Sequence, residues 1–120
     1  MSEEGKNRFW SGTVCETRFK NNGMSLNLQL YDLNLMVLNN VENFYQIVIN
    51  YKKINEKDFK KEFGNLLILP DNTIRGQDPN GLIDGRIFER EGNKIMEIYY
   101  RMTQNIENSM VSYYGELELK

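Results

Sequence analysis

The chain of 120 residues contains no histidine and only one cysteine, Cys15. Histidine is the commonest general base and the commonest metal ligand, so Ser-His-Asp and Cys-His catalytic arrangements are impossible within this chain. A zinc site would have to be built mainly from carboxylates, which is rare. We therefore expect no enzyme activity, no metal site and no cofactor.

Long apolar runs and an excess of one charge are also missing. No run approaches the roughly 18 apolar residues of a membrane helix, and the polar N-terminus has no features of a signal or transit peptide. The net charge of −2 creates no broad field that would attract nucleic acid or an anionic membrane. A single cysteine fits a reducing compartment. We expect a protein of the cytoplasm or another reducing intracellular compartment, with nucleic acid disfavoured as a partner and no membrane contact.

Alanine, the best helix former, is absent, whereas isoleucine, valine, tyrosine and phenylalanine together number 28. This composition favours sheet. The length suits one domain. We predict a flexible N-terminal tail over residues 1–8 and a single β-barrel domain over residues 9–120.

Alternation of apolar and polar residues predicts about eight short strands. They cover residues 9–19, 25–30, 33–38, 44–51, 66–69, 82–90, 94–102 and 110–119. The alternation changes phase after residue 30, which favours a turn at Asp32 over a bulge. Between residues 55 and 63, Asn55 is a candidate helix cap, Phe59 and Phe63 share one helical face, and Gly64 is a stop signal, so we predict a short helix there.

Short turns between sequential strands favour an all-β fold, a small antiparallel up-and-down barrel that closes on itself. An eight-stranded barrel is nearly filled by its own side chains. The large residues predicted to face inward are Leu26, Leu28, Leu30, Tyr113 and Leu117. Cys15 is predicted to be a small core residue.

Several short motifs resemble the small lipocalin-like (calycin-type) barrels. They are Trp10-Ser11-Gly12 in the first strand, Ile74-Arg75-Gly76-Gln77-Asp78 followed by Gly81, Ile83 and Gly85, then Ile95, Ile98 and Tyr100, and finally Tyr113-Tyr114-Gly115-Glu116-Leu117. The resemblance implies the same barrel fold, and it adds the hypothesis of a small apolar ligand inside the barrel.

The candidate partner- or ligand-binding residues are aromatic: Trp10, Tyr99, Tyr100, Tyr113 and Tyr114. In each tyrosine pair one ring should point inward and one outward, because strand side chains alternate. The outer rings either pair across the sheet or anchor a partner. The stretch Asp78-Pro79-Asn80-Gly81 lacks the other ligands of a calcium loop and is predicted to be a turn.

Three functional hypotheses follow. The first is a non-catalytic protein-protein interaction module, an accessory subunit that docks on protein partners in a larger complex. The second is a lipocalin-like binder of a small apolar ligand, which a cavity above about 300 Å³ would favour. The third is a barrel like the oligonucleotide-binding (OB) fold that holds single-stranded nucleic acid, suggested by the lysines and aromatics of residues 51–63.

Overall fold

The structure, a computed structural model, describes residues 8–20, 25–103 and 109–120. Each strand in these ranges pairs antiparallel with the next, and β8 pairs with β1, so the sheet closes into a barrel. The strands are β1 (Arg8–Lys20), β2 (Ser25–Val41), β3 (Phe44–Lys53), β4 (Lys60–Ile68), β5 (Thr73–Asp78), β6 (Gly81–Arg90), β7 (Asn93–Met102) and β8 (Ser109–Leu119). The predicted all-β, up-and-down barrel of eight strands is confirmed.

The core lies inside the barrel and draws one parity of residues from every strand. Leu35, Met96 and Leu117 are completely buried. The other members of the core are Trp10, Val14, Leu33, Val37, Ile47, Leu66, Ile74, Ile83 and Ile98. Among described residues, no helix is long and apolar enough to cross a bilayer.

The second strand corrects two predictions. No turn forms at Asp32, because β2 is one strand of 17 residues that pairs with β1 without interruption from Ser25 to Val37. Asp32 faces outward, and its Oδ2 lies 3.1 Å from Lys52 Nζ on β3. Leu28 and Leu30, predicted to face inward, are 64% and 46% exposed. Alternation shows which residues share a face, but it does not show which face is the inner one.

The predicted number of strands is correct because two errors cancel. Residues 25–30 and 33–38 belong to one strand, while β5 (Thr73–Asp78) was not predicted, because residues 76–85 are rich in glycine and turn formers. At Gly76 a Cβ atom would collide with the carbonyl oxygen of Asn65 on β4. Glycine here permits close approach of two strands, whereas the sequence pattern indicated a loop.

The predicted helix over residues 55–63 does not form. A turn and a bend follow Lys53, and Lys60 begins β4, which pairs with β3 through Tyr51–Lys60 and Val48–Phe63. An isolated helix of this length is only marginally stable in water. Pairing with β3 gives Lys60–Phe63 partners across the sheet, so a strand forms there in place of the end of the helix.

The sequence also predicts turns at residues 21–23 and 91–93 and a loop over residues 103–109. Glu91 and Gly92 form the two-residue β6–β7 turn with φ of 52° and 82°, as a type I′ hairpin requires. The turn at residues 21–23, the side chain of Leu26 and most of the loop 103–109 lie outside the described residues. Of the predicted tail, residues 1–7 also lie outside them, and Arg8 is the first residue of β1.

Candidate functional site

A cavity of about 120 Å³ lies inside the barrel toward the end where β1, β3, β5 and β7 finish. Its apolar floor comes from Val14, Leu33, Leu35, Ile49, Ile83 and Ile98. Its rim comes from Tyr31, Tyr51, Glu62, Asp78, Asn80, Tyr100, Met102 and Tyr113. Polar atoms thus surround an apolar interior, which is the usual composition of a binding pocket.

Each of the four tyrosines of the rim lies against the next, so that their rings form a continuous arc. The ring centroids of Tyr51 and Tyr31 are 6.3 Å apart, those of Tyr31 and Tyr113 are 5.5 Å apart, and those of Tyr113 and Tyr100 are 5.7 Å apart. Such tilted and edge-on contacts stabilise aromatic pairs beyond simple burial. We call Tyr51, Tyr31, Tyr113 and Tyr100 the tyrosine arc.

Glu16 holds one side of the arc. Its side chain points inward from β1 and is buried, with the residue only 6% exposed. Glu16 Oε2 accepts hydrogen bonds from the hydroxyls of Tyr113 (2.6 Å) and Tyr31 (3.2 Å), and Oε1 lies 3.6 Å from Arg18 Nε. These three neighbours offset the cost of burying the carboxylate.

Burial and the Glu16 carboxylate both disfavour ionised tyrosine. Burial, with a smaller effect of the Glu16 charge, raises the pKa of Tyr31 to about 12. Burial and the hydrogen bond to Glu16 also raise the pKa of Tyr113. Both hydroxyls therefore stay protonated at neutral pH and act as donors to Glu16.

Asp78 holds the other side of the arc through a turn. Its Oδ1 accepts hydrogen bonds from the backbone N–H groups of Asn80 and Gly81, both at 2.8 Å, and from the Tyr100 hydroxyl at 2.7 Å. The predicted turn at residues 78–81 is confirmed. A Cβ atom at Gly81 would lie 2.6 Å from Tyr100 Cζ, so glycine is what lets the ring rest against the backbone.

Glu62 completes the rim, although it was not among the predicted site residues because a helix was predicted there. It lies on β4 opposite Ile49 and shares the inward parity of Leu66. The two-residue alternation of β4 could have identified it, because Glu62 lies two residues before Gly64 and four residues before the buried Leu66, and so on the same face of the strand. No described residue makes a hydrogen bond or ion pair with its carboxylate. Burial, followed by the negative charges of Glu62 and Asp78, raises the pKa of Tyr51.

The structure separates the five aromatic residues singled out from the sequence. Tyr100 and Tyr113 line the cavity, whereas Tyr99 and Tyr114 face outward and are 45% and 47% exposed. One ring inward and one outward in each pair is as predicted. Trp10 is 2% exposed in the core and does not line the cavity, so its partner-binding role has no exposed surface to act through.

The outward tyrosines pair across strands β7 and β8. The ring centroids of Tyr99 and Tyr114 are 6.4 Å apart, and the Tyr114 hydroxyl donates a 2.7 Å hydrogen bond to Glu97 Oε2. Cys15 also lies on this outer face, half-buried between Leu30 and Tyr114, so its predicted place in the core is wrong.

In the described part of the chain, no group of three or more Cys, Asp or Glu residues is placed to hold a metal ion. No protein-family model and no curated protein matches the chain. The closed antiparallel barrel is consistent with a calycin-like fold, and the resemblance to lipocalins is supported at that level alone.

Proposed function

We propose that this protein is a non-catalytic binding module that takes one small apolar group into the cavity at the tyrosine end of its barrel. The observation that carries the proposal is the cavity itself, an apolar space ringed by tyrosine and carboxylate groups. The resemblance to lipocalin-like proteins likewise implies a small apolar ligand inside the barrel. The group would be held by its shape and by a few polar contacts at the rim.

The size of the cavity limits what it can hold. At about 120 Å³ it is smaller than the roughly 300 Å³ that would favour a lipocalin-like carrier of a small apolar ligand. A cavity of about 150 Å³ lined by apolar residues is known to bind benzene. The space therefore suits about one ring or one branched side chain, with any remaining part of the ligand outside the rim.

Titration with 2-phenylethanol, followed by amide chemical shifts, tests this proposal. We expect saturable shifts concentrated at lining residues such as Ile83 and Tyr100. Ile49→Phe should fill the cavity and abolish them, whereas Leu28→Phe, on the outer face, should leave them unchanged. Met102→Phe serves as a second filling variant if Ile49→Phe does not fold. Shifts that persist in a folded filled variant, or their absence in the unmodified protein, would contradict the proposal.

A protein-docking role for the outer face is the second candidate, favoured by a row of apolar residues across four strands. Phe9, Met36, Val48 and Phe63 are successive cross-strand neighbours from β1 to β4. Phe9 and Phe63 at its ends are 47% and 63% exposed. Exposed aromatic residues are frequent anchors of interfaces. Tyr99 and Tyr114 add a second aromatic pair on the outer surface.

Co-purification from native cells tests the docking role. A partner retained at fixed stoichiometry should be lost from a Phe9→Ser/Phe63→Ser double variant and kept by Leu82→Ser, which alters another exposed apolar residue on β6. Equal retention by all three proteins would reject this face as the docking surface. The barrel gives the OB-like alternative no support from the fold, since its eight strands follow one another in order, whereas an OB barrel has five strands in Greek-key order.

A further inference from the structure

The carboxylates around the cavity differ in the number of hydrogen bonds and ion pairs that they make. Glu16 accepts two tyrosine hydroxyls and lies beside Arg18. Asp78 uses Oδ1 for three donors. Glu62 has neither a hydrogen bond nor an ion pair with any described residue, although it lines the cavity and is half-buried. The Glu62 carboxylate and the second oxygen of Asp78 are therefore charged acceptors on the cavity lining that have no hydrogen-bond partner among the described residues.

The side of the rim formed by Glu62 and Asp78 carries an excess of negative charge. Among the described residues, the lining includes the carboxylates Glu62 and Asp78 and no basic residue, and Arg18 is engaged by Glu16 on the other side of the arc. The pKa values of the neighbouring tyrosines reflect this excess of negative charge. Besides burial and its hydrogen bond to Asp78, the negative charges of Asp78 and Glu62 raise the pKa of Tyr100. For Tyr31 and Tyr113, in contrast, Arg18 partly offsets the rise in pKa.

Aromatic rings flank the same carboxylates. Tyr51 and Tyr100 both line the cavity beside Glu62 and Asp78. The face of a tyrosine ring attracts a cation, and the attraction grows when the cation is removed from water. An ammonium group at this point would meet the negative charge of the two carboxylates beside the two rings, while the carbon skeleton attached to it occupies the apolar floor.

We infer that the cavity selects a protonated amine joined to a small apolar group, with the ammonium at Glu62 and Asp78 and the apolar part against Leu33, Ile83 and Ile98. This inference rests on the proposed function, since it names the chemistry of the group that enters the cavity. A free small amine and the N-terminal residue of a peptide both carry this chemistry.

Three probes of nearly equal shape test the inference: phenethylamine (cationic), 2-phenylethanol (neutral) and phenylacetate (anionic). At neutral pH we expect phenethylamine to bind about tenfold more tightly than the alcohol, and phenylacetate to bind most weakly. Equal binding of amine and alcohol would overturn the amine inference and leave the proposed function intact. Binding of none of the three would overturn both.

Charge-neutralising variants locate the effect. Glu62→Gln should remove most of the preference for phenethylamine over 2-phenylethanol without changing the affinity for the alcohol. Glu89→Gln, an exposed substitution near the other end of β6, should keep the full preference. Asp78→Asn retains an acceptor for the turn and tests the second carboxylate. A preference that survives in a folded Glu62→Gln/Asp78→Asn double variant would overturn the assignment.

The tripeptide Phe-Gly-Gly distinguishes the two sources of the amine. Binding of the free tripeptide at least as tight as that of phenethylamine, lost on N-acetylation, supports a peptide N-terminus as the ligand. Binding of phenethylamine without binding of the tripeptide supports a free small amine. Equal binding of the free and acetylated tripeptides would contradict the role of the ammonium group.

Discussion

The two ends of this barrel are built from the same strands but filled in different ways. At the end near the start of β1, the inward residues Trp10, Val37, Ile47 and Leu117 are all apolar and at most 4% exposed. At the other end, tyrosine hydroxyls and carboxylates point inward and a cavity remains. Apolar side chains interlock without regard to direction, whereas hydroxyl and carboxylate groups must keep hydrogen-bond geometry. The polar end is therefore packed less closely, and the space that remains is a place where a ligand can bind.

The largest effect that this comparison predicts is at the packed end. Trp10→Ala removes a buried indole from the core and should lower the free energy of unfolding by about 3–5 kcal/mol. Urea denaturation followed by circular dichroism measures the loss. A loss below about 1 kcal/mol would show that this end is no better packed than the tyrosine end.

At the tyrosine end the expected cost is smaller and arises from a single hydrogen bond. Tyr113→Phe removes one of the two hydroxyl donors to the buried Glu16 carboxylate and should lower the free energy of unfolding by about 1–3 kcal/mol. Tyr99→Phe is the matched control, because the Tyr99 hydroxyl has no hydrogen-bond partner among described residues. Equal costs for the two substitutions would contradict the role given to Glu16.

Alkaline pH should weaken the tyrosine end selectively. The unfolded chain has tyrosine pKa values near 10, while in the folded protein the pKa of Tyr31 is about 12 and those of Tyr100 and Tyr113 are also raised. Above about pH 10 the unfolded state loses these protons first, so stability is complete below that pH and falls as pH rises, for Tyr31 until about pH 12.

Urea denaturation at a series of alkaline pH values measures this dependence. Replacing Tyr31 with Phe should make the fall shallower, because one of the shifted groups is removed. Stability that stays constant or rises between pH 10 and pH 12 would be incompatible with the burial and the carboxylate contacts of the arc.

The smallest effect is predicted on the outer face of β2. Leu28→Ser alters a leucine that is 64% exposed and should change the free energy of unfolding by less than about 0.5 kcal/mol. Leu33→Ser, five residues further along the same strand, should cost several times as much because Leu33 is buried. If the two substitutions cost the same, the inward and outward assignments of β2 would be wrong.

Much of the barrel was predictable because its causes are local. Alternation in β1, β3, β6, β7 and β8 gave the right strands, and the opposite orientations of Tyr99 and Tyr100 follow from the same pattern. The prediction failed where neighbouring strands overrule local preference, as in the supposed helix over residues 55–63 and in the glycine-containing β5. The candidate site shares these failures, since Glu62 lies in the part of β4 that was predicted to be helical and Asp78 is the last residue of β5, which was not predicted.

The amino-acid sequence alone determines that this chain forms antiparallel sheet, because residue preference and the two-residue period of a strand act over short distances. Its composition alone excludes chemistry that depends on histidine. Only closure of the barrel decided which face of β2 is inside, brought Glu16 to Tyr31 and Tyr113, and set Glu62 beside Tyr51, where no described residue forms a hydrogen bond or ion pair with its carboxylate. Those contacts join residues far apart in the chain, and their geometry depends on the packing of all eight strands together.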